Sequence, residues 1–413
     1  MRFDELGLND KILEAISYMD YEKASEIQEL TIPAILDGKD ILACAQTGTG
    51  KTAAFMLPIL NHISIEDNHD LSTLIIVPTR ELAIQINQQI QGFSYFLNIN
   101  SITVYGGRDG SDWDAESKAL TKGTNIVVAT PGKLISHLNL GYVKFDKIKH
   151  LVLDEADRML DIGFYDDLMR ILSYVPEERQ TLMFSATMPQ KIRELAAKIL
   201  KNPVEFSTAI SKPAEGVLQA AYVVHENQKI PVINSLISNK PDLDSILVFS
   251  STKRKVTEIV RSLKKTGIAA EGISSDLEQK EREDVLMRFR SRRTRVLVAT
   301  DVLSRGIDIK DINLIINFDV PGSAEDYVHR VGRTARADKT GIAISLINEH
   351  DMDKFDKIEK LIEMEVLKIP VPPELGEGPV YKVRAPRKGG GRPQSKRKFS
   401  SGGKPNRGGA NPT

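Results

Sequence analysis

Several features are scarce in this sequence of 413 residues, and each scarcity excludes some classes of protein. There is one cysteine, Cys44, so no intrachain disulfide can form, which fits a reducing compartment and predicts a cytoplasmic protein. No run of about 18 apolar residues occurs, so we expect no membrane-spanning helix and no membrane partner. The first residues, Met1-Arg2-Phe3-Asp4-Glu5, lack the apolar stretch of a secretory signal.

The formal net charge is zero, but the charge is unevenly distributed along the chain. Residues 371–413 contain ten Lys/Arg and two Glu, a net charge of +8, so the remainder carries −8. This segment is rich in Pro, Gly and Ser, and its low apolar content predicts a disordered basic tail. A basic tail on an acidic body is typical of proteins that bind a polyanion, whereas a role in solubility alone is the alternative.

A phosphate-binding pattern lies between a predicted strand, 40–44, and a predicted helix that begins near residue 53. The N–H groups of such a loop and the helix N-terminus attract phosphates, and Gly48 and Gly50 permit close backbone approach. Lys51 would reach the β- and γ-phosphates and Thr52 would ligate Mg²⁺. An incidental Gly/Thr-rich turn is the alternative, since Ala45 replaces the first glycine of the pattern. The predicted nucleotide-binding residues of the loop are Ala45, Gln46, Thr47, Gly48, Thr49, Gly50, Lys51 and Thr52.

Short apolar strands alternate with amphipathic stretches, which predicts an α/β fold with mainly parallel sheets. A polar stretch with Pro213 and Gly216 interrupts the alternation, which then restarts without a second phosphate loop. We therefore predict two tandem domains with a ligand cleft between them. The predicted strands are 40–44, 74–77, 102–105, 126–129, 150–153, 181–184, 221–224, 245–249, 269–273, 296–299, 314–318 and 341–346. The predicted segments are 1–30 (helical N-terminal segment), 31–206 (first domain), 207–217 (short linker), 218–370 (second domain) and 371–413 (tail).

Carboxylates follow the predicted strand 150–153. Asp154, at a strand end in the same domain as a phosphate loop, would hold Mg²⁺, and Glu155 would orient or deprotonate the attacking water. An acidic helix N-cap is the alternative interpretation. Ser185 and Thr187 follow a neighbouring predicted strand, where their hydroxyls could hydrogen-bond carboxylates such as that of Asp157, or cap a helix instead.

Three arginines lie within residues 329–336 of the second predicted domain, which has no phosphate loop of its own. If the cleft closes, Arg333 and Arg336 could reach the γ-phosphate as arginine fingers. A solvated basic helix face is the alternative. Asp308 could accept a hydrogen bond from a ribose hydroxyl, or serve as a local turn residue.

Taken in order, these motifs resemble those of the DEAD-box RNA helicases over residues 1 to about 370, and the tetrapeptide itself is Asp154–Asp157. The resemblance depends on the ordered set, since no single motif decides it. The other matching motifs are Pro78-Thr79-Arg80-Glu81-Leu82-Ala83, Gly106-Gly107, Thr130-Pro131-Gly132-Lys133, Ser185-Ala186-Thr187, Val248-Phe249-Ser250-Ser251-Thr252, Gln279-Lys280-Glu281-Arg282, Ala299-Thr300-Asp301 with Arg305-Gly306-Ile307-Asp308, and His329–Arg336.

The resemblance implies two RecA-like domains, with ATP and Mg²⁺ as ligands and RNA as partner. It implies RNA-stimulated ATP hydrolysis coupled to domain closure and the opening of short duplexes or the remodelling of RNA–protein complexes. It also implies that Tyr21 stacks on adenine and that the Gln28 amide hydrogen-bonds the base edge, although helix packing is the alternative for Tyr21. Sequence-independent RNA backbone contacts are implied for Pro78, Thr79, Arg80, Gly106, Gly107, Thr130, Pro131, Gly132, Lys133, Gln279, Arg282 and Thr300.

Four positions depart from the family pattern. Ala24 stands where proline is usual, and Ala335 stands where glycine is common. Lys133 replaces arginine, which keeps the charge but loses the bidentate fork. Ser274-Ser275-Asp276 replaces His-Gly-Asp. None of the four removes a catalytic group, and the changes at 133 and 274 concern RNA contacts rather than ATP chemistry.

The short chain with its glycine-rich basic tail resembles the bacterial RhlE-type members of the family. We expect a monomer, with ribosomal or RNA-decay proteins as candidate partners. An ATP-gated RNA clamp with little unwinding is one alternative function, because the same motifs serve both activities. A DNA-directed helicase is another, because it shares the two-domain architecture.

Overall fold

The computed structural model describes residues 1–45, 48–66, 70–106, 111–208, 217–238, 240, 242–274, 276–300, 312–334 and 341–383. Several residues singled out above lie outside these ranges, as do residues 384–413 of the predicted tail; they are Gln46, Thr47, Gly107, Pro213, Gly216, Ser275, Asp301, Arg305, Gly306, Ile307, Asp308, Ala335 and Arg336. Among the helices within the ranges, none combines the length and the apolar character that crossing a membrane requires.

The first of two sheets has seven parallel strands in the order β3-β4-β2-β5-β6-β1-β7. Its strands are β1 Ile41–Cys44, β2 Thr73–Ile76, β3 Ser101–Val104, β4 Ile126–Ala129, β5 His150–Leu153, β6 Gln180–Ser185 and β7 Val204–Ser207. The accompanying helices are α1 Asp10–Ser17, α2 Glu26–Leu36, α3 Lys51–Glu66, α4 Arg80–Phe93, α5 Ser111–Lys122, α6 Pro131–Asn139, α7 Ala156–Ile162, α8 Tyr165–Leu172 and α9 Gln190–Ile199.

The second sheet also has seven parallel strands, in the order β10-β11-β9-β12-β13-β8-β14. Its strands are β8 Val217–Val223, β9 Ile246–Ser250, β10 Ala270–Ile273, β11 Val296–Thr300, β12 Leu314–Asn317, β13 Gly341–Ile347 and β14 Leu367–Ile369. The described helices of this domain are α10 Lys229–Ser238, α11 Lys253–Lys265, α12 Gln279–Arg290, α13 Ala324–Val331 and α14 Met352–Leu361.

The central strands are continuous apolar runs because helices cover both faces of each sheet. Every residue of β2, β4 and β5 is buried, and two hydrophobic clusters occupy the two faces of the first sheet. Because the strands run parallel, all of their carboxyl ends lie at one edge of their sheet. The residues predicted to bind ligands follow those ends.

The N-terminal segment packs into the first domain. Phe3, Ile12 and Ile27 share one buried cluster with the phosphate-loop helix α3. The predicted boundary at residue 30 falls inside α2, which packs on α3. The segment and the domain therefore form one core.

Packing on the second domain continues beyond the predicted boundary at residue 370. The Tyr381 hydroxyl donates to Glu359 Oε2 at 3.2 Å, and the Gln228 amide donates to the Leu375 carbonyl at 2.8 Å. Gly378 lies so close to Val223 that a Cβ there would clash with the Val223 carbonyl oxygen. Residues 371–383 therefore belong to the folded part, because a few apolar side chains anchor an otherwise polar segment. The predicted disorder concerned residues 371–413 as a whole, and 384–413 lie outside the described ranges.

Buried His150 opens β5 and generates a test of stability. Its Nδ1 lies 3.0 Å from Gln180 Oε1, and its ring stacks on His62 at 5.3 Å between centroids. Burial, together with the neighbouring His62, lowers the pKa of His150 to about 4.

Because the folded-state pKa lies below the ordinary value of about 6.5, the neutral ring supports folding above pH 6.5 and this support is lost as the pH falls toward 4. We expect the free energy of unfolding of the first domain to fall by up to about 3 kcal/mol over that interval. His150→Gln, which retains a donor but does not titrate, should flatten the curve in urea unfolding from pH 4 to 7. Equal slopes in both proteins would contradict the assignment.

Candidate functional site

The phosphate loop joins β1 to α3, as the sequence predicted, and its start is fixed by the sheet. The Ala45 N–H donates to the Ser185 carbonyl at 3.0 Å. Gly48 and Gly50 have φ values of +89° and +91°, a region that disfavours any residue with a Cβ. A Cβ on Gly50 would also clash with Gln28 Nε2. Both glycines are thus required by the backbone.

Lys51, the first residue of α3, is buried, and its Nζ has no hydrogen-bond partner among the described residues. A buried ammonium without a partner is costly, so the site has an unmet requirement for an anion. Burial has the largest effect on the pKa of Asp154 and raises it, whereas the positive charge of Lys51 lowers it. This orphaned cation fits a nucleotide phosphate. The space beside Gly48 fits one as well, since a Cβ on this glycine would meet no described neighbour within 4 Å.

Asp154 lies directly after β5 and is 3% exposed. Its backbone N–H donates to the Ile76 carbonyl at 3.1 Å, and its Oδ1 accepts from the Glu155 N–H at 2.9 Å. Burial raises the pKa of Asp154 to about 6, against the opposing effect of Lys51. A buried carboxylate whose pKa is raised is stabilised in its charged form by a cation, which fits a Mg²⁺ ligand.

Glu155 adopts the left-handed conformation, with φ 52° and ψ 50°, at the N-cap of α7. A non-glycine residue in this region carries a cost of order 1–3 kcal/mol, and such strain clusters at functional sites. Its Oε2 lies 3.4 Å from Arg158 Nη1, and both side chains are buried. The N-cap position that the alternative interpretation described is therefore observed, but no side-chain capping bond accompanies it.

The third carboxylate of the tetrapeptide links α7 to the segment after β6. Asp157 Oδ2 accepts from the Thr187 N–H at 3.0 Å and from the Thr187 hydroxyl at 2.9 Å. Ser185 does not donate to a carboxylate: its Oγ accepts from the Asp157 N–H at 3.3 Å and donates to the Thr187 carbonyl at 2.7 Å. The prediction of a bond from a hydroxyl to a carboxylate is thus confirmed for Thr187 and wrong for Ser185, although all three residues form one network.

The Gln28 side chain connects α2 to the phosphate loop. Its Oε1 accepts from the Ser25 N–H at 2.8 Å, and its Nε2 donates to the Gly50 carbonyl at 3.0 Å. The Ser25 hydroxyl donates to the Thr49 carbonyl at 2.7 Å. One N–H and one oxygen lone pair of the amide thus bond within the protein. The other N–H and the other lone pair remain available to the edge of a base.

Tyr21 packs edge-to-face against two phenylalanines. Its ring centroid lies 5.8 Å from that of Phe3 and 5.6 Å from that of Phe93. Burial raises its pKa. The packing role is therefore observed, and Phe93 at the end of α4 is a neighbour that sequence reasoning did not identify. Stacking on adenine stays a prediction.

Two further helices begin at the same edge of the first sheet, after neighbouring strands. α4 follows β2 and α6 follows β4, and these strands are neighbours. Thr79 caps α4 by accepting from the Leu82 N–H at 3.4 Å, and Thr130 precedes Pro131 in an extended N-cap conformation. Gly106 lies beside Arg80, since a Cβ there would be 3.6 Å from Nη2. The first turns of both helices therefore place backbone N–H groups at the carboxyl ends of neighbouring strands, where an anion could bind.

The Lys133 amine forms an ion pair within the first domain. Its Nζ lies 3.1 Å from Oε2 of Glu116, which is 1% exposed, and 4.4 Å from the Trp113 ring centroid. His137 Nε2 also contacts Glu116 Oε2, at 3.0 Å, and the His137 ring stacks on Trp113. Burial lowers the pKa of His137 despite its hydrogen bond to Glu116. No sequence signal identifies Glu116, because it reaches Lys133 from a separate helix.

The second domain has its own polar network where β9 and β12 end. Asp319 Oδ2 accepts from the Ser251 N–H at 2.8 Å, and Oδ1 lies 2.7 Å from Lys255 Nζ and 3.3 Å from the buried Lys229 Nζ. Burial alone would raise the pKa of Asp319, but hydrogen bonds from Lys255 and Ser251 hold it well below the usual range. The sequence reasoning did not identify this network, which fixes Ser251 beside the start of α11.

The predicted RNA and nucleotide contacts of the second domain lie on three elements. Thr300 ends β11, in register with Ser250 of β9. Gln279 and Arg282 belong to the first turn of α12. Arg333 is partly exposed in the turn after α13, where its N–H donates to the Arg330 carbonyl at 3.3 Å.

Arg330 itself points into the second domain. It donates to Asn317 Oδ1 at 3.0 Å and to the Asp319 carbonyl at 2.8 Å.

The fold and the phosphate loop define the class: a nucleotide-binding protein with two RecA-like domains. The family model described as DEAD/DEAH box helicase matches residues 25–195, and that described as Helicase conserved C-terminal domain matches 228–338. The "ATP-dependent RNA helicase CshA" of Listeria monocytogenes is 42% identical over 90% of this chain and 71% of its own length. The "DEAD-box ATP-dependent RNA helicase CshA" of Geobacillus kaustophilus is 40% identical over 91% and 80%. The chain belongs to the DEAD-box ATP-dependent RNA helicase family.

Solved structures agree with this assignment. Dbp5 of S. cerevisiae bound to RNA and ADP BeF3 superposes with a TM-score of 0.80 at 31% identity, covering 90% of this chain and 96% of that one. Mss116p bound to ssRNA and AMP-PNP gives 0.77 at 29% identity, covering 89% and 78%. Both curated relatives above carry the name CshA, and the resemblance to RhlE-type members stays a prediction.

The Lys133–Glu116 pair yields a test. Lys133→Met should lower the free energy of unfolding of the first domain by about 3 kcal/mol, because the buried Glu116 carboxylate loses its cationic partner and keeps only the contact with His137. Adding Glu116→Gln to that variant should restore most of the loss, since no buried charge then remains. Urea unfolding of the single and double variants measures the coupling. Simple additivity of the two substitutions would show that the pair contributes nothing to stability.

Proposed function

We propose that this protein hydrolyses ATP in response to RNA and uses the resulting domain closure to open short RNA duplexes or remodel RNA–protein complexes. The observation that carries the proposal is the buried Lys51 ammonium without a partner among the described residues, next to the buried Asp154 carboxylate. A buried cation without a partner, beside a buried carboxylate at the end of a phosphate loop, suits a nucleotide with its metal. The names of the relatives indicate that the nucleic acid is RNA.

At the phosphates, each chain residue has a distinct task. Lys51 would contact the β- and γ-phosphates, and Thr52 and Asp154 would hold Mg²⁺, which supplies charge neutralisation when bound. Glu155 would accept a proton from the attacking water. Its backbone strain at φ 52° and its contact with Arg158 give the carboxylate a defined position.

Coupling between nucleotide and RNA is proposed to pass through Asp157, Ser185 and Thr187. Their hydrogen bonds tie the turn that carries Asp154 and Glu155 to the segment after β6. Arg333 would complete the site from the second domain as an arginine finger, with Arg336 and Asp308 in their predicted roles.

RNA phosphates are proposed to bind the N-termini of α4 and α6. Because the Lys133 amine is paired with Glu116, we assign the contact of that turn to its backbone N–H groups rather than to the side chain. Such contacts position the strand without reading its sequence. Contacts to 2′-hydroxyls would distinguish RNA from DNA.

Adenine recognition is proposed for Tyr21 and Gln28. The Gln28 amide joins the base site to the phosphate loop through Gly50. A cytoplasmic location, a monomeric state and partners in ribosome assembly or RNA decay remain predictions from the sequence. Separation of a duplex, as opposed to clamping on RNA, is part of the proposal.

Glu155→Gln tests the catalytic assignment. We expect it to bind ATP and RNA as the parent protein does, but to hydrolyse ATP about 10²-fold more slowly or worse, because the proton acceptor is lost. Steady-state hydrolysis with saturating RNA, and displacement of a labelled strand from a short RNA duplex, are the two readouts.

Glu178→Gln is the matched control, since it makes the same change at an exposed position of the same domain. It should retain both activities. Normal turnover in Glu155→Gln would remove Glu155 from its role. Hydrolysis by the parent protein without strand displacement would favour the clamp.

A further inference from the structure

Helix α11 differs in charge from every other helix that the structure describes. It carries six Lys/Arg and one Glu, a net charge of +5. The other described helices range from −2 to +2 by the same count, and the chain as a whole is neutral. This concentration of positive charge is therefore specific to one element.

The positive charge lies on the outer face of α11. Val256, Ile259 and Leu263 form the buried stripe of this helix. The exposed basic residues recur at helical spacing on the opposite side, so they form one continuous surface. We call this surface the α11 basic face; it consists of Lys253, Arg254, Arg261, Lys264 and Lys265.

Nearby acidic groups neutralise only the first turn. Lys253 pairs with Asp276, and Arg254 Nε lies 2.9 Å from Glu258 Oε1, with both pairs exposed. Exposed pairs of this kind are weak and exchange readily with other partners. Within the described part of the chain, Arg261, Lys264 and Lys265 make no ion pair. An unbalanced cationic surface of this kind suits a polyanion.

The α11 basic face starts at the strand ends of the second domain, where Thr300 is predicted to contact RNA. α11 begins directly after β9, where Thr252 caps it by accepting from the Lys255 N–H at 3.3 Å. Ser250, two residues earlier, is in register with Thr300 of β11. From there the helix packs over β10 and β11 for about 18 Å, at 1.5 Å per residue.

We propose that the α11 basic face binds the phosphate backbone of RNA that extends beyond the segment held at the strand ends. The inference rests on the proposed function and adds a second contact surface to it. Charge, rather than base recognition, carries the contact, so it is independent of sequence and weakens with salt. Its effect depends on RNA length, since only a strand longer than the strand-end site reaches the helix.

The test neutralises three positions in the full-length protein: Arg261→Gln, Lys264→Gln and Lys265→Gln. The matched control makes the same change in net charge at exposed residues of α9: Lys191→Gln, Arg193→Gln and Lys198→Gln. Affinity is measured for a short RNA of about 6 nucleotides and a long RNA of about 20 nucleotides, at several salt concentrations. ATP hydrolysis with saturating short RNA reports on folding and on the nucleotide site.

We expect the α11 variant to bind the long RNA about tenfold or more weakly, with the slope of log affinity against log salt reduced by about 2, because three single-strand phosphate contacts are lost. Its short-RNA affinity and its hydrolysis should match the parent protein, and the α9 control should match the parent in every assay.

Unchanged long-RNA affinity in the α11 variant would overturn the inference. An equal loss in the α9 control, or an equal loss for both RNA lengths, would overturn it as well, since overall charge would then explain the result. If the parent protein bound the short RNA and responded to it, the proposed function would survive these outcomes. If the parent protein bound neither RNA, the proposed function would fail together with the inference.

Discussion

The parallel direction of the strands determines where the functional residues of this protein lie. Each sheet brings seven carboxyl ends to one edge, and most of these ends lead into a helix. Residues distant in sequence, such as Lys51, Asp154 and Thr187, therefore lie together without any of them being part of a shared local motif. The helices that follow present unsatisfied N–H groups at the same edge, so the fold itself prepares a surface for phosphates.

The buried charges at these strand ends are of two kinds, those paired within the protein and those available to a ligand. Glu116 with Lys133, and Asp319 with Lys255, are charge pairs completed within their own domain, and they hold helix starts in place. Lys51 has no such partner among the described residues. Charges paired within the protein stabilise its fold, whereas the unpaired Lys51 is available to a ligand. For this reason we assign the Lys133 side chain to the fold rather than to RNA binding.

Sequence patterns predicted the central strands well, because those strands are apolar apart from His150 at the start of β5: residues 126–129 and 150–153 match β4 and β5 to the residue. The edge strands β7 and β14 were missed, since residues such as Glu205 and Lys368 interrupt the apolar pattern of strands that are only half covered. The phosphate loop and the tetrapeptide were predictable because their chemistry is local in sequence. Partners that arrive from other elements, such as Glu116 and Asp319, were not, because no spacing rule connects them to the residues they hold.

If closure around ATP depends on RNA, steady-state ATP hydrolysis will report it. Turnover would be compared without nucleic acid, with single-stranded RNA, and with DNA of the same sequence. We expect slow hydrolysis alone, strong stimulation by RNA and little by DNA. Fast turnover without nucleic acid, or equal stimulation by DNA, would contradict it.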